Sequence, residues 1–470
     1  MTSANKRGAS PFMIVLFLLL TLVGGIIVIG VSKAGFIKTA AEGYLFGYPL
    51  VITDVTRVAS IDFIGPENKL FRKRTFPDAN FRGVARPNVD TLYTSAFIDM
   101  DDGPFVFEMA ENTERYNLMP FLDAWTNVFA SLGTRTYGTG AASYLLVGPK
   151  WSGTAPGGLT VVQAPTRIVW LIGRTQTNGK SDYPLVHKIQ DGIHLVTLAD
   201  WQANPAPVTE SVLADEIDPE SRPGAVRPVA PIDQTSALST VAFFTRLAEL
   251  MADNPPAPQD APMLARLAEL GVAPGRPPQW NLLDRVCAKL GRRLADLKVA
   301  QAQKQPRSTV NGWWTPPMSL GVYGTDYPMR AVVAMVGLGA NQPADAMYPN
   351  TVTDSEGRNF DGSHSYYMHF DAGSLPPVNG FWSVTAYGPD DFLIANPTDR
   401  YALGGRDPLH YNNDGSLDLY FAPTLPPDAP DSNWLPVKSG QIFLLNARLY
   451  WPKESALDGT WQLPPVIRMD

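Results

Sequence analysis

The hydrophobic pattern begins with one long apolar run near the start of the chain. No charged residue occurs between Arg7 and Lys33, and Pro11 to Val31 is almost wholly apolar. About 20 helical residues at a rise of about 1.5 Å span the roughly 30 Å hydrocarbon core of a bilayer. The run exceeds the roughly 7–15 apolar residues of a signal peptide, and no good cleavage site follows it. The pattern predicts one uncleaved transmembrane helix, with the lipid bilayer around residues 11–31.

The charges beside this run predict its orientation. Lys6, Arg7 and the α-amino group precede it without an acid, whereas Lys33 and Lys38 follow it and are offset by Glu42. Positive charge is retained on the cytoplasmic side of membranes. We therefore expect a single-pass protein of the inner (cytoplasmic) membrane, with its soluble body in the periplasm or extracytoplasmic space.

After the apolar run the pattern changes from a helical period to an alternating one. From Ala34 to about Ser60 apolar residues recur at helical spacing, and Pro49 is expected to end the regular part. Short segments rich in aromatic and β-branched residues follow, separated by Gly, Pro and Asp. They are Thr91–Asp99, Pro104–Met109, Arg115–Leu122, Ser143–Val147, Thr160–Gln163 and Arg167–Ile172. Such short strands predict a sandwich or barrel.

The middle of the chain returns to a helical pattern. Residues 202–234 are rich in Pro and have no sustained period, which predicts a surface connector. Apolar residues at spacings of three and four then predict helices in Ser236–Ala252, Gln259–Leu270 and Pro278–Gln303.

The C-terminal part is β-rich again. Its clearest predicted strands are Ser365–Phe370, Gly380–Tyr387, Leu417–Phe421 and Gln441–Leu449. Asn412-Asn413-Asp414-Gly415 before an alternating segment predicts a hairpin, because these residues tolerate positive φ. The sequence thus predicts a mainly β protein with a helical insert. Its expected parts are a transmembrane anchor (1–33), an N-terminal β-sandwich with a leading helix (34–201), the connector and helical insert (202–304), and a C-terminal β-sandwich (305–470).

Composition narrows the class of function. The net charge is −7 and Lys and Arg are dispersed, which argues against a nucleic-acid partner. Cys287 is the single cysteine, so neither an internal disulfide nor a Cys-based zinc cluster can form. The sequence contains no metalloprotease, P-loop or dinucleotide motif in a usable context, so it predicts no metal site and no cofactor. It leaves the oligomeric state open.

Two groups of residues could carry chemistry. The first is Arg86, Asn88, Asp90 and Tyr93, continued by Asp123 and Trp125. Such residues suit either a sugar-binding site or a buried polar network that fixes a loop. The second is His369, Trp382, Tyr387, Arg400, Tyr401 and Arg448. Aromatic rings with Arg can stack on a saccharide, although Trp and Tyr also fill β-sandwich cores. His369 is either a general base or a structural histidine.

Longer motifs resemble two bacterial families. Tyr44-Leu-Phe-Gly-Tyr48-Pro-Leu, Asn88-Val-Asp90-Thr-Leu-Tyr93, Tyr144-Leu-Leu-Val-Gly148 and Ile172-Gly-Arg174 resemble domain-of-unknown-function family 1254. Gly337-Leu-Gly-Ala-Asn341, Asp345-Ala-Met-Tyr348, Phe381-Trp382, Asn433-Trp434 and Arg448-Leu-Tyr450 resemble its usual C-terminal companion, family 1214. The resemblance implies a small N-terminal β-sandwich, intervening helices, a jelly-roll-like C-terminal sandwich and location in the cell envelope. It implies no settled reaction and no catalytic residue.

Three functional hypotheses remain open. In the first, the protein binds or processes a polar envelope ligand such as a glycan. In the second, it is a hydrolase or lyase whose acid–base residues come from Asp90, Tyr93, Asp123, His369 and Arg400. In the third, it is a non-catalytic structural or interaction protein. A glycosidase needs two carboxylates about 5–10 Å apart. A concave pocket lined by the candidate residues would favour the first two hypotheses over the third.

Overall fold

The computed structural model describes residues 33–204, 229–304 and 308–469. Its first element is the long helix α1 (Ala34–Phe63). The strands that follow are β1 (Phe71–Arg72), β2 (Thr91–Asp99), β3 (Phe105–Met109), β4 (Asn117–Asp123), β5 (Val128–Gly133), β6 (Ala142–Val147), β7 (Thr160–Gln163), β8 (Ile168–Gln176) and β9 (Ile193–Thr197). Three short helices lie among or after them: α2 (Thr134–Tyr137), α3 (Tyr183–Asp191) and α4 (Leu198–Ala203).

These strands form two sheets packed face to face. One sheet has the order β1-β2-β8-β4-β5 and the other has the order β7-β6-β3-β9. Alternate side chains of both sheets meet in a common core, where the rings of Phe107 and Phe121 lie 5.1 Å apart. The six predicted strands of this half are confirmed with end shifts of a few residues. β1, β5 and β9 were not predicted, since their short segments lack a clean alternation.

Helix α1 is the centre of a helical layer and is buried on all sides from Thr39 to Val55. The prediction that Pro49 ends the regular helix is wrong, because the helix continues through Pro49 to Phe63. Proline in a helix interior removes one backbone hydrogen bond. The surrounding apolar side chains offset that loss, since the residues on both sides of Pro49 are fully packed.

The helices around α1 come from the predicted insert and the segment after it. They are α5 (Pro231–Ala237), α6 (Thr240–Asp253), α7 (Ala261–Glu269), α8 (Leu282–Lys304) and α9 (Tyr327–Val336). The three predicted helices are confirmed with shorter N-terminal ends. Helix α6 begins at Thr240 because the Ser239 side chain caps it by accepting from the backbone N–H of Ala242. Much of the predicted connector, residues 205–228, lies outside the described residues.

The crossing of α8 over α1 is unusually close at Gly291. A Cβ atom at this position would lie 2.6 Å from the carbonyl oxygen of Ile37 and 2.7 Å from Cβ of Ala40. Gly291→Leu is therefore expected to lower the free energy of unfolding by about 1–3 kcal/mol, because the helices must separate to accommodate it. The matched control is Ala300→Leu on the exposed side of the same helix, with an expected change within about 0.5 kcal/mol. Urea unfolding checks both variants, and equal midpoints would contradict the close crossing.

The C-terminal half forms a second pair of facing sheets. Its strands are β10 (Ala346–Met347), β11 (Asn350–Thr351), β12 (Tyr366–Phe370), β13 (Trp382–Tyr387), β14 (Ala402–Gly404), β15 (Leu417–Ala422), β16 (Trp434–Pro436), β17 (Leu444–Tyr450) and β18 (Val466–Arg468), with helix α10 (Glu454–Leu457). One sheet has the order β10-β17-β13-β14, with β11 also on β17, and the other has the order β16-β15-β12-β18. The four predicted strands are confirmed, whereas the jelly-roll connectivity stays a prediction.

The predicted hairpin at Asn412–Gly415 is only half correct. The turn closes, since the backbone N–H of Asn412 donates to the oxygen of Ser416 over 2.9 Å and Gly415 has a φ of +86°. However, the segment before the turn is not a partner of β15, whose antiparallel neighbour is β12. Local turn chemistry predicts the reversal of the chain but not the strand that pairs after it.

The protein is mainly β with several helices. The predicted domain limits stay predictions. The predicted transmembrane helix at residues 11–31 lies outside the described residues, and within residues 33–204, 229–304 and 308–469 no helix is both long and apolar enough to cross a membrane.

Candidate functional site

The two sandwiches meet through the outer faces of two sheets. Along β13 and β17, Val384 and Ala447 point into the core of the C-terminal sandwich. Ser383 and Arg448 have the opposite orientation, because side chains alternate along a strand, and they reach residues just before β2. We call this contact the polar junction; it comprises Asn88, Asp90, Tyr93, Arg174, Ser383, Thr385, Tyr387, Arg406, Arg448 and Tyr450.

Asp90 is the fully buried acid of the polar junction. The hydroxyl of Ser383 donates to its Oδ2 over 2.7 Å, and the guanidinium of Arg406 forms an ion pair with its Oδ1. Nη1 of Arg448 lies 3.9 Å from Oδ2. A buried carboxylate requires such partners, since an unpaired one costs several kcal/mol. Asp90 therefore ties the loop before β2 to the C-terminal sandwich.

Asn88 shapes the loop that carries Asp90. Its Oδ1 accepts from the backbone N–H groups of Asp90 at 2.6 Å and Thr91 at 3.2 Å, which is an Asx turn. Its Nδ2 donates to the hydroxyls of Tyr93 at 3.2 Å and Tyr450 at 3.1 Å. One amide side chain thus joins β2 to β17 across the polar junction.

Arg448 is buried and has mainly neutral partners. Its Nη1 donates to Oγ1 of Thr385 over 2.8 Å, and its Nη2 donates to the Tyr387 hydroxyl over 2.6 Å and to the carbonyl of Arg86 over 3.1 Å. The Tyr387 hydroxyl in turn donates to the carbonyl of Pro87 over 2.7 Å. Arg448 therefore braces the chain around Arg86 and Pro87.

Arg174 and Tyr93 are direct partners on β8 and β2. The Arg174 guanidinium lies 5.1 Å from the Tyr93 ring centroid, and its Nη1 donates to Oδ1 of Asn341 over 2.8 Å and to the carbonyl of Ile172 over 2.9 Å. None of the described carboxylates forms an ion pair with Arg174, although its side chain is buried. A buried guanidinium with only neutral partners leaves positive charge uncompensated at this place.

Tyr93 is the half-buried phenol beside this charge. Burial by itself raises the pKa of Tyr93, but the positive charges of Arg174 and Arg448 and the hydrogen bond from Asn88 outweigh burial and lower the pKa. Nearby Tyr348 is also half-buried, and there burial raises the pKa. Tyr93 is therefore the phenol of the polar junction that ionises most readily.

Asp123 and Trp125 lie far from the polar junction. Asp90 precedes β2, whose first residue pairs with Gln176 of β8, whereas Asp123 pairs with Val169 of β8. About eight residues of strand separate the two acids, which corresponds to roughly 26 Å at about 3.3 Å per residue. The hypothesis that Asp90 and Asp123 form the carboxylate pair of a glycosidase is therefore wrong.

Asp123 belongs to a turn that packs against the helical layer. It accepts from the backbone N–H groups of Trp125 at 2.9 Å and Asn127 at 2.8 Å. Burial raises the pKa of Asp123 to about 6, against the hydrogen bonds from Asn127 and Trp125 and the positive charge of Arg330. The indole of Trp125 lies 5.3 Å from the Arg330 guanidinium, and its Nε1 donates to the carbonyl of Asn254 over 3.2 Å. Both residues brace this turn.

The remaining candidates are dispersed over the C-terminal sandwich. Trp382 is buried in its core. Arg400 donates to the carbonyl of Trp434 over 2.8 Å, and the hydroxyl of Tyr401 donates to Asp399 over 2.5 Å. These contacts fix loops at the edge of the sandwich and do not reach the polar junction.

His369 and Arg86 lie at two further places. His369 is on the outer face of β12, where its Nδ1 lies 2.7 Å from Oδ1 of Asp418 and this hydrogen bond raises the pKa of the imidazole. Arg86 contributes its carbonyl to the polar junction, while its side chain forms an exposed 2.8 Å ion pair with Asp391. The structure therefore unites Asn88, Asp90, Tyr93, Tyr387 and Arg448 but leaves the other candidates elsewhere.

The clearest pocket of the described chain lies at another place. It has a volume of about 610 Å³ and is lined by residues that include Lys33, Phe36, Arg276 and Trp280. Neither this pocket nor a much smaller one near Asn117 is lined by a predicted site residue. Within the described ranges, no group of three or more His, Cys, Asp or Glu residues could hold a metal ion.

Arg174 and Arg406 were missed as site residues by reasoning from the sequence. Arg174 stood in a family motif but in a segment that otherwise indicates a plain strand. Arg406 follows two glycines, and the close approach of Gly405 to the Trp382 ring is visible only in the folded chain. A buried strand that contains one Arg, as β8 does, is the signal that could have indicated Arg174.

Two β-sandwiches joined by a buried polar junction and supported by a helical layer define the class of protein. Residues 68–197 match the family described as protein of unknown function DUF1254, and residues 345–454 match the family described as protein of unknown function DUF1214. These two matches confirm the resemblance found in the motifs.

One solved structure has a similar fold over nearly the whole chain. The VPA0106 protein from Vibrio parahaemolyticus is similar over 93% of this chain and 100% of its own, with 21% identity and a TM-score of 0.70. An uncharacterised protein from Burkholderia cenocepacia aligns over 93% of this chain and 97% of its own, with 14% identity and a TM-score of 0.44. Comparison with curated proteins gave no match.

Proposed function

We propose that the protein binds a polar anionic ligand, such as an acidic glycan of the cell envelope, at the polar junction beside Tyr93 and Arg174. The observation that carries this proposal is the buried guanidinium of Arg174, whose described partners are all neutral. A ligand carboxylate would compensate the charge and accept hydrogen bonds from it. Neither of the two pockets described above reaches Arg174, so a ligand would have to enter past the partly exposed side chains of Tyr93 and Tyr348 and displace them.

A second candidate is acid–base catalysis at the same place. Tyr93 combines partial exposure with a lowered pKa, and two guanidinium groups lie close to it. A phenol of this kind can remove a proton next to a carboxylate that the guanidinium groups neutralise, which is lyase chemistry. The other members of the polar junction have satisfied hydrogen bonds, and that supports a bracing role for them.

We propose that the protein acts in the cell envelope. Residues 11–31 have the length and apolarity of a membrane span, and the charges around them favour a cytoplasmic N-terminus. The protein would then be anchored in the inner membrane and hold the polar junction in the periplasm.

Affinity electrophoresis of the full-length protein in a mild detergent tests the proposal. Gels that contain polygalacturonate are expected to retard the protein, whereas gels that contain neutral dextran are not. Arg174→Gln is expected to weaken the retardation about tenfold or more, because a charge-assisted hydrogen bond contributes about 1.5–3 kcal/mol.

The matched control is Arg82→Gln, which removes the same charge from an exposed loop position outside the polar junction. Equal retardation of wild type and both variants would refute binding at Arg174. Absence of retardation on acidic polymers of several kinds would favour the purely structural role. Release of an unsaturated uronate from the polymer, detected by ultraviolet absorbance, would establish the lyase.

A further inference from the structure

Helix α8 exposes an apolar stripe along one side. Leu282, Val286, Leu290 and Leu297 are 79%, 51%, 45% and 68% exposed. Their spacing of four, four and seven residues places them on one face of the helix. The opposite side is buried against α1 through small residues such as Gly291. Among the described residues, nothing covers this stripe, so it is an unpartnered helix face.

Basic residues border this stripe. Arg285, Lys289, Arg293 and Lys298 are exposed next to its apolar residues. Of the two acidic residues of α8, Asp284 is half-buried and lies off the stripe, whereas Asp296 is exposed beside Leu297. Four exposed basic residues against one exposed acid leave this side of the helix with a net positive charge. We call the exposed set Leu282, Arg285, Val286, Lys289, Leu290, Arg293, Leu297 and Lys298 the basic–apolar face. An exposed apolar stripe bordered by basic residues is typical of helices that lie in the surface of an anionic membrane.

The start of α8 lies next to the point where the chain leaves the predicted span. Nζ of Lys33 is 3.0 Å from Oδ1 of Asp284, in the first turn of α8. The rings of Phe36 and Trp280 are 5.9 Å apart at the same end of the molecule. The last residue of the apolar run, Val31, precedes Lys33 by two positions in the sequence.

We propose that the basic–apolar face docks on the surface of an anionic lipid bilayer. The inference rests on the proposed membrane anchor, because the anchor brings the first turn of α8 to the headgroup region. The leucines and valine would enter the boundary between headgroups and acyl chains, and the basic residues would contact lipid phosphates. This contact fixes the orientation of both sandwiches relative to the membrane. We favour the bilayer as the occupant for two reasons. The basic residues of the face complement anionic lipids, and the start of α8 lies next to the residue at which the chain leaves the predicted span.

Site-specific fluorescence on the full-length protein in nanodiscs tests the docking. The single native cysteine is first replaced, Cys287→Ala, and an environment-sensitive dye is attached through Leu290→Cys on the basic–apolar face. The matched control is Val161→Cys, which is similarly exposed at 44% but lies on the N-terminal sandwich. In nanodiscs that contain phosphatidylglycerol, the dye at position 290 is expected to shift to shorter wavelength and to lose its quenching by aqueous iodide. The control dye should keep both properties unchanged.

Further comparisons separate the competing outcomes. Iodide quenching at position 290 should return in the double variant Lys289→Glu, Arg293→Glu. It should also return for the wild-type face in nanodiscs of phosphatidylcholine alone. Equal quenching at positions 290 and 161 while the protein co-elutes with anionic nanodiscs would overturn the docking and leave the anchor intact. Failure to co-elute would refute the anchor. The docking would then be tested alone by adding phosphatidylglycerol vesicles to the labelled protein and measuring iodide quenching at position 290. A wavelength shift that needs no lipid and grows with protein concentration would overturn the proposal in favour of a second copy.

Discussion

Asp90→Asn is expected to destabilise the folded protein by about 3–5 kcal/mol, because it leaves buried guanidinium groups without their carboxylate. Asp90 has no exposed surface and forms an ion pair with Arg406, with Arg448 at 3.9 Å. The substitution preserves the shape of the side chain, so the loss of stability measures the effect of removing the negative charge. Urea unfolding followed by tryptophan fluorescence measures it.

The matched control for this prediction is Asp391→Asn. Asp391 also forms an ion pair with an arginine, Arg86, but both side chains are well exposed. An exposed pair contributes at most about 1 kcal/mol, since water screens it. If both variants unfold at the same urea concentration, the polar junction does not hold the sandwiches together through buried charge.

The second large effect is a dependence of stability on pH through Asp123. Burial raises the pKa of Asp123 to about 6 from an ordinary value of 3.8. Between these values the folded state holds a proton that the unfolded chain has lost, so stability falls as the pH rises through this window. The difference corresponds to roughly 3 kcal/mol. Relative to Asp123→Asn, which has no proton to lose, the wild type should lose up to that amount between about pH 4 and pH 7.

A control with the opposite sign is available at Asp458. Hydrogen bonds from the backbone and side chain of Thr460 lower the pKa of this exposed carboxyl group. Relative to Asp458→Asn, the wild type should therefore gain stability as the pH rises. Thermal unfolding of the wild type and both variants at several pH values provides the measurement. The same sign for both comparisons would contradict the buried environment of Asp123.

The sequence predicts strands well where side chains alternate and poorly where they do not. β2 and β7 were predicted at their observed bounds, because apolar and β-branched residues define each run. Helix α1 was predicted to stop at Pro49, since the local rule for proline does not include the packing that encloses this helix. Tertiary burial, which no local pattern contains, decides such cases.

The candidate site was predicted in pieces. Asp90 and Arg448 were selected in separate groups, and only the meeting of β2 with β13 and β17 shows that they belong to one polar junction. Conversely, Asp123 was grouped with Asp90 by residue type, although 33 positions of chain separate the two acids. The strands β2 and β4 both pair antiparallel with β8, one on each side, and the two acids lie at opposite ends of β8. Residue type can thus be read from sequence, whereas proximity depends on strand order.

The burial of the middle of α1 has a consequence for the synthesis of the chain. Its buried residues, Thr39 to Val55, leave the ribosome long before the helices that cover them, the last of which are α8 and α9. Roughly 240 residues separate the end of α1 from the end of α8, which takes on the order of 10–50 s at common rates of synthesis. During that time the helix has only the part of its native cover that the N-terminal sandwich and helices α5 to α7 provide, through residues such as Phe97, Trp125 and Phe244. We expect the rest of its apolar surface to stay uncovered in the nascent chain until α8 and α9 have been made.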